Sequence, residues 1–195
     1  MSIVLLGSTS GSITLQEPAV SGSTILSLPA VSGTVLTTGS SGQSIPKAAL
    51  PTGSVLQVVQ ATTSTATTTS STSFVDTNLL ASITPTSASS KILALISGPL
   101  YTGNTGYNTY ASIRLTRNGS GIMQTQQITD NQVGSAVGPT MTANINICYL
   151  DSPATTSSTT YRIQIKSDQG SYSPVITFPF SNVNTATIIL MEIAA

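Results

Sequence analysis

Between Ser54 and the last residue, apolar side chains recur with a period of two, and no helical stripe runs longer than two turns. Side chains alternate across a strand, so this period dictates an all-β fold. The clearest stretch is Y-R-I-Q-I-K (161–166), which puts Tyr161, Ile163 and Ile165 on one face and Arg162, Gln164 and Lys166 on the other. A-S-I-R-L-T (111–116) alternates in the same way, and Asn118-Gly119 beyond it marks a hairpin turn before Ile122 and Met123. N-I-N-I-C-Y-L (144–150) places Ile145, Ile147 and Tyr149 together, and Cys148 reads as a small buried hydrophobe. S-V-L-Q-V-V-Q (54–60) is β-branched, and the Thr/Ser tract 62–73 reads as a polar edge or a loop. Turn-forming clusters separate these runs at 103–106, 130–134, 151–158 and 168–173. About eight strands at this spacing predict a β-sandwich of jelly-roll type.

Two segments break the alternation. K-I-L-A-L-I (91–96) and T-I-I-L-M-E-I (187–193) are apolar on both faces. A sandwich strand shows one face to water, so a strand apolar on both faces needs a second cover. A neighbouring subunit supplies it most directly, and this places Ile188, Ile189, Leu190, Met191 and Ile193 near a subunit interface. A loop folded over the outer face is the alternative.

The first part of the chain has different grammar. S-G-S-I-T-L-Q-E-P-A-V (10–20) is followed by S-G-S-T-I-L-S-L-P-A-V (21–31) and by a shortened S-G-T-V-L-T-T-G (32–39). The repeat is about eleven residues long. Its short β-prone stretches cannot bury an apolar face alone; they become stable when stacked or wound around other chains. Residues 1–45 therefore read as an extended arm, 46–53 as a linker punctuated by Pro46, Pro51 and Gly53, and 54–195 as the sandwich. Fully extended, the arm would reach at most ~150 Å.

Composition closes several routes to function. Six basic and six acidic residues cancel, and charged residues are 6% of the chain. No basic cluster exists to displace counterions from nucleic acid. There is no His and one Cys; this excludes histidine-based triads, the common zinc sites and an internal disulfide. The apolar runs fall far short of the ~20 residues that cross a bilayer as a helix. The N-terminal M-S-I-V-L-L-G-S lacks the basic start of a signal peptide. A Ser/Thr-rich chain without an export signal fits a particle assembled inside a cell and released by lysis.

The order of several motifs resembles small virion proteins of tailed bacteriophages, especially those of marine and aquatic bacteria. These are G-S-T-S-G-S-I-T-L-Q, the paired P-A-V-S-G, T-V-L-T-T-G, A-L-P-T-G-S-V-L-Q-V-V, D-S-P-A-T-T-S-S-T-T-Y-R-I-Q-I and T-I-I-L-M-E-I-A. The resemblance implies an N-terminal arm that anchors to the particle and a C-terminal, trimeric, jelly-roll-like domain that projects from it. It implies a non-enzymatic capsid decoration (cement) protein or head fibre, located in the virion and assembled in the bacterial cytoplasm. Its partners would be its own copies and, through the arm, the major capsid protein or another virion protein. The arm's apolar residues Ile13, Leu15, Ile25, Leu26, Leu28, Val35 and Leu36 are the candidate attachment residues. The competing reading is a short tail fibre or receptor-binding protein that recognises host surface glycans. The sandwich is also similar in outline to jelly rolls of the tumour-necrosis-factor type, in strand pattern only.

Little catalytic chemistry is legible. Cleavage of a polysaccharide needs two carboxylates across a cleft. Asp130, Asp151 and Asp168 sit where turns are expected and read as turn residues; Glu17 lies in the repeat, and Glu192 in the last strand reads as ion-paired or solvent-facing. Asp151 and Asp168 are the one pair worth testing. No acidic cluster suits calcium, and no cofactor or metal is expected. Tyr101, Tyr107 and Tyr110 flank a Gly/Asn-rich stretch and are the candidate glycan contacts; anchoring that loop on the sandwich is the simpler role.

Overall fold

The structure is a computed structural model that describes residues 3–6, 12–15, 50–103, 109–128, 140–171, 174–181 and 183–195. The chain divides into two compact units, Met1–Ser44 and Ile45–Ala195. In the first, β1 (Ile3–Leu6) and β2 (Ser12–Leu15) form an antiparallel pair, with Ile3 opposite Leu15 and Leu5 opposite Ile13.

The second unit is all-β among its described residues. Its strands are β3 (Val55–Thr63), β4 (Thr67–Thr69), β5 (Val75–Ile83), β6 (Lys91–Gly103), β7 (Tyr110–Arg117), β8 (Ser120–Ile128), β9 (Thr140–Asp151), β10 (Thr159–Ser167), β11 (Val175–Phe178) and β12 (Ala186–Ile193). Setting β4 and β11 aside, the remaining strands pair in nested order. The first joins the last (β3 with β12), then β5 joins β10, β6 joins β9, and β7 joins β8, all antiparallel. A long antiparallel ribbon rolled upon itself gives this nesting, and it is the jelly roll. The short strands β4 and β11 pair with each other inside the same order. One layer is the four-stranded sheet β5-β10-β7-β8; the other is the six-stranded sheet built on β3-β12-β6, with β9 on the far side of β6.

The core lies between the layers. Leu79 and Ile83 of β5, Ile113 and Leu115 of β7, and Ile163 and Ile165 of β10 face Ile92 and Ile96 of β6 and Ile188 and Leu190 of β12; all are buried. The alternation of 161–166 holds: Tyr161, Ile163 and Ile165 are wholly buried. The Asn118-Gly119 turn joins β7 to β8 with φ values of 49° and 83°, the left-handed pair that a two-residue hairpin requires. β5 and β11 carry no clear sequence signal. In β5, Thr77 occupies an inward position, where an apolar residue is expected. It is tolerated because its hydroxyl donates to the Ile163 carbonyl at 2.8 Å.

β6 is thirteen residues long and organises the larger sheet. Along one edge it pairs with β12 as far as Ser97 and with β11 from Tyr101 onward; its other edge is taken by β9. Gly98 sits where one partner gives way to the other. A Cβ there would lie 2.6 Å from Ala186 Cβ and 2.8 Å from Phe178 Cζ. Gly98→Ala is therefore expected to cost about 1–3 kcal/mol by overpacking, read as a lowered urea midpoint with an unchanged slope. An unchanged midpoint would show that the junction has slack.

Candidate functional site

The two outer faces of the sandwich differ in chemistry. On the four-stranded sheet, Asp76, Gln164 and Arg114 stand in register across β5, β10 and β7. Gln164 donates from Nε2 to Asp76 Oδ1 at 2.5 Å, and Arg114 Nε donates to Gln164 Oε1 at 2.5 Å. Arg162 pairs with Asp76 as well. The Gln164 amide, helped by the Arg162 charge and opposed by partial burial, holds the Asp76 carboxyl below its ordinary value. Arg114 lies 4.0 Å over the Phe74 ring. Lys166 pairs with Asp168 at 2.8 Å, and the Ser112 hydroxyl donates to Asp168 at 2.6 Å. A linked polar surface of this kind belongs against water.

The outer face of the larger sheet carries an apolar band at one end and turns polar beyond it, where Thr62, Thr187, Ser97 and Asn146 stand in one row. Val58, Met191, Leu93 and Leu150 stand opposite one another across β3, β12, β6 and β9. Gln60, Ile189, Leu95 and Cys148 form the next row, and Val55 and Ile193 continue the band beyond the first. Val58 is 55% exposed and Leu150 50%. Lys91 at the rim is the charged residue on this face among those described. Between β6, β9 and β12 lies a groove of about 280 Å³, lined by Leu95, Ile147, Cys148 and Ile189 with Ser97, Asn146 and Thr187.

Several expectations change here. Ile188 and Leu190 do not belong to an outer surface: both are wholly buried inside the protomer. Ile189, Met191 and Ile193 are half-buried on the opposite face. One strand shows alternate side chains to each layer, so the apolar run splits by parity. Cys148 is exposed, because placing Ile147 and Tyr149 inward turns the residue between them outward. Asp151 is no turn residue. It is buried at the end of β9 and accepts from the Tyr161 hydroxyl at 2.7 Å and from Arg117 Nη1 at 3.0 and 2.9 Å. Burial, reinforced by the Asp151 carboxylate, pushes the Tyr161 phenol far above its ordinary range.

Glu192 neither pairs with a cation nor faces solvent. It is wholly buried and accepts from Thr86 N and Oγ1 at 2.6 and 2.7 Å and from Gln57 Nε2 at 2.6 Å. Burial pushes its carboxyl up, but the bonds from Thr86 and Gln57 outweigh it and bring the pKa down to about 2.

Asp151 and Asp168 stand at opposite ends of β10. They are on the order of 20 Å apart along the strand, well beyond the ~5–9.5 Å that two-carboxylate glycoside cleavage uses. Among the described residues no group of three or more His, Cys, Asp or Glu gathers to hold a metal ion, and no helix is long and apolar enough to cross a membrane. Tyr101 stacks on Phe180 with ring centroids 4.8 Å apart, so one face of its ring is occupied. Tyr110 is half-buried at the start of β7, and Tyr107 lies outside the described residues. Of the candidate attachment residues, Ile13 and Leu15 lie in β2; Ile25, Leu26, Leu28, Val35 and Leu36 lie outside the described residues.

No protein-family model matches the chain, and no curated protein matches it. Among solved structures, the sandwich has distant viral neighbours. A chain from the structure of infectious bursal disease virus, Gx strain, is 12% identical with a TM-score of 0.32, and one from the VP2 subviral particle of that virus is 14% identical with a TM-score of 0.31. Each match covers 73% of this chain and 39% of the other, so the chain spans about two-fifths of the length of these neighbours.

Proposed function

We propose that the protein is a non-enzymatic virion structural protein of a tailed bacteriophage: a homotrimeric capsid decoration protein or head fibre. In this reading residues 1–45 form the attachment arm and residues 54–195 the exposed jelly roll. The observation that carries the reading is the contrast between the two outer faces. One is a hydrogen-bonded polar lattice suited to water; the other is an apolar band four strands wide that a lone protomer would leave wet. Self-association covers that band. The ordered resemblance of the motifs to phage virion proteins supports the location, and the repeat-bearing first unit supports attachment through the arm.

The mechanism is mechanical. Three arms held together at a symmetric site on the major capsid protein, or another virion protein, bind far more tightly than one, because the second and third contacts form at high effective concentration. Deleting residues 1–45 is expected to leave a sandwich with the β-type circular dichroism of the full chain that no longer joins the particle. Truncated protein found on particles at full occupancy would assign attachment to the sandwich. Particles lacking the protein are expected still to adsorb to cells while losing resistance to heat or osmotic shock. Loss of adsorption would replace this reading with recognition of a host glycan.

A further inference from the structure

We propose that the cavity at the end of β12, between the start of β3 and the connection from β5 to β6, binds a primary alkylammonium group, the chemistry of a lysine side chain or a free aliphatic amine. The site does not depend on the homotrimer reading above. The cavity holds about 410 Å³. Leu50, Leu56 and Ala194 line part of it with aliphatic carbon, and Thr52, Thr86 and Ser90 bring hydroxyls. Behind Thr86 and Ser90 stands the Glu192 carboxylate. Thr86 N, Thr86 Oγ1 and Gln57 Nε2 satisfy its oxygens but carry no charge to offset it. Among the described residues no cation pairs with it. Lys91, next to Ser90 in the chain, opposes Ile193 and so projects from the outer face, away from Glu192.

The carboxylate sets the polarity of the hydroxyls in front of it. An ionised carboxylate only accepts hydrogen bonds. Thr86 Oγ1 therefore gives its proton to Glu192 Oε1 at 2.7 Å and turns its lone pairs toward the cavity. Ser90 points to a guest independently. It is 1% exposed, it lines the cavity, and its hydroxyl oxygen has no hydrogen-bond partner. It lies on the Glu192 side, where it helps to hold that carboxyl low without completing a hydrogen bond. A buried hydroxyl left unmade costs stability, and a donor arriving in the cavity removes that cost. The Ser87 and Ser89 hydroxyls already bond each other at 2.8 Å. Acceptors, one negative charge and aliphatic walls suit a guest that only donates, is positive and trails methylenes. A primary ammonium has three donors and no acceptor. Held by Thr86 Oγ1 at a normal hydrogen-bond length, its nitrogen would lie about 5 Å from the carboxylate, within range of a strong attraction at a site partly shielded from water. A phosphate would meet like charge, and an alcohol would leave the charge unanswered.

Saturation-transfer NMR of the full-length protein with n-butylammonium tests the site, with tetramethylammonium chloride holding the ionic strength constant. Butylammonium is expected to saturate in the millimolar range, and n-butanol and sodium ions to compete on the order of tenfold more weakly. Glu192→Gln keeps the shape and removes the charge, and should weaken binding by on the order of tenfold. Ser90→Ala should weaken it by about fivefold. The Ser90 hydroxyl bonds nothing in the protomer, so Ser90→Ala should unfold at the wild-type urea midpoint, and its lost affinity then reads the site and not the fold. Capped lysine, Nα-acetyl-lysine amide, separates the two sources. Binding equal to that of butylammonium assigns the site to a lysine side chain of another protein; binding of butylammonium alone assigns it to free amines. Absence of saturation, or equal binding of n-butanol, overturns the ammonium site. Sodium competing at equal strength overturns it in favour of an inorganic cation. Unchanged affinity in both variants places the bound amine elsewhere on the protein and overturns it as well.

Discussion

Replacing Glu192 with Ala is expected to cost about 3 kcal/mol of stability at neutral pH. The carboxylate is the shared acceptor of Thr86 N, Thr86 Oγ1 and Gln57 Nε2. These bonds fasten the end of β12 to β3 and to the connection between β5 and β6. Removing the acceptor leaves the Thr86 donors and one Gln57 bond unmade at a partly buried site, where water takes up part of the about 1–3 kcal/mol that each fully buried unsatisfied group would cost; Gln57 keeps its second bond, to the Thr84 carbonyl at 2.7 Å. The lowered pKa, which arises from the same bonds, gives a consistent figure. The pKa falls from 4.5 to about 2 on folding. A group held below its unfolded value stabilises the fold fully above that value. The contribution is lost as pH falls from about 4.5 toward 2, and it amounts to about 3 kcal/mol. Asp76, also held low, acts in the same direction. Urea unfolding of wild type and Glu192→Ala between pH 2 and 7 checks both claims. The variant should be weaker at pH 7 and should lack most of the acid slope. Parallel curves would mean that another group supplies the acid sensitivity. Such a loss is a large part of the ~5–15 kcal/mol that holds a domain together.

If the protein is the homotrimer proposed above, Leu95→Arg is expected to convert it into monomers at micromolar concentration while the protomer stays folded. Leu95 stands in the middle of the outer apolar band, between Ile189 and Cys148, and contributes nothing to the space between the sheets. A guanidinium there can reach water in a monomer. In a trimer it would be buried without a partner at three symmetry-related sites, at a cost of several kcal/mol each. Sedimentation velocity should show the loss of the trimer, and thermal unfolding should show a cooperative protomer. The contrasting change lies one residue away on the other parity. Ile96→Ala, between the sheets, should cost about 2–5 kcal/mol of protomer stability. A trimer that survives Leu95→Arg would remove the outer face from the subunit interface.

The residues that repeat every second position announced their strands. Tyr161, Ile163 and Ile165 point inward because each is large, apolar and flanked by polar neighbours, and local pattern is enough to fix such a strand. The Asn118-Gly119 turn is equally local, since few residue pairs accept two successive positive φ values. β5 escaped because Asp76, Thr77 and Asn78 interrupt its pattern, and the bond that admits Thr77 comes from Ile163, 86 residues away. In β12 the sequence declared both faces apolar but could not say which was the core, because a strand's parity has no meaning until a partner is chosen. Pairing with β6 chose it: Ile188 opposes Ile96 and Leu190 opposes Ala94 inside, while Ile189 opposes Leu95 outside. The same register carried Glu192 inward, against every expectation for a charged residue, and Gln57 and Thr86 from two other segments made that tolerable. Composition and period thus determined the all-β class and the apolar surplus, both sums over local preferences. The tertiary structure alone decided which half of that surplus fills the core and which half is left facing out, because that choice belongs to the register between strands that lie far apart in the chain.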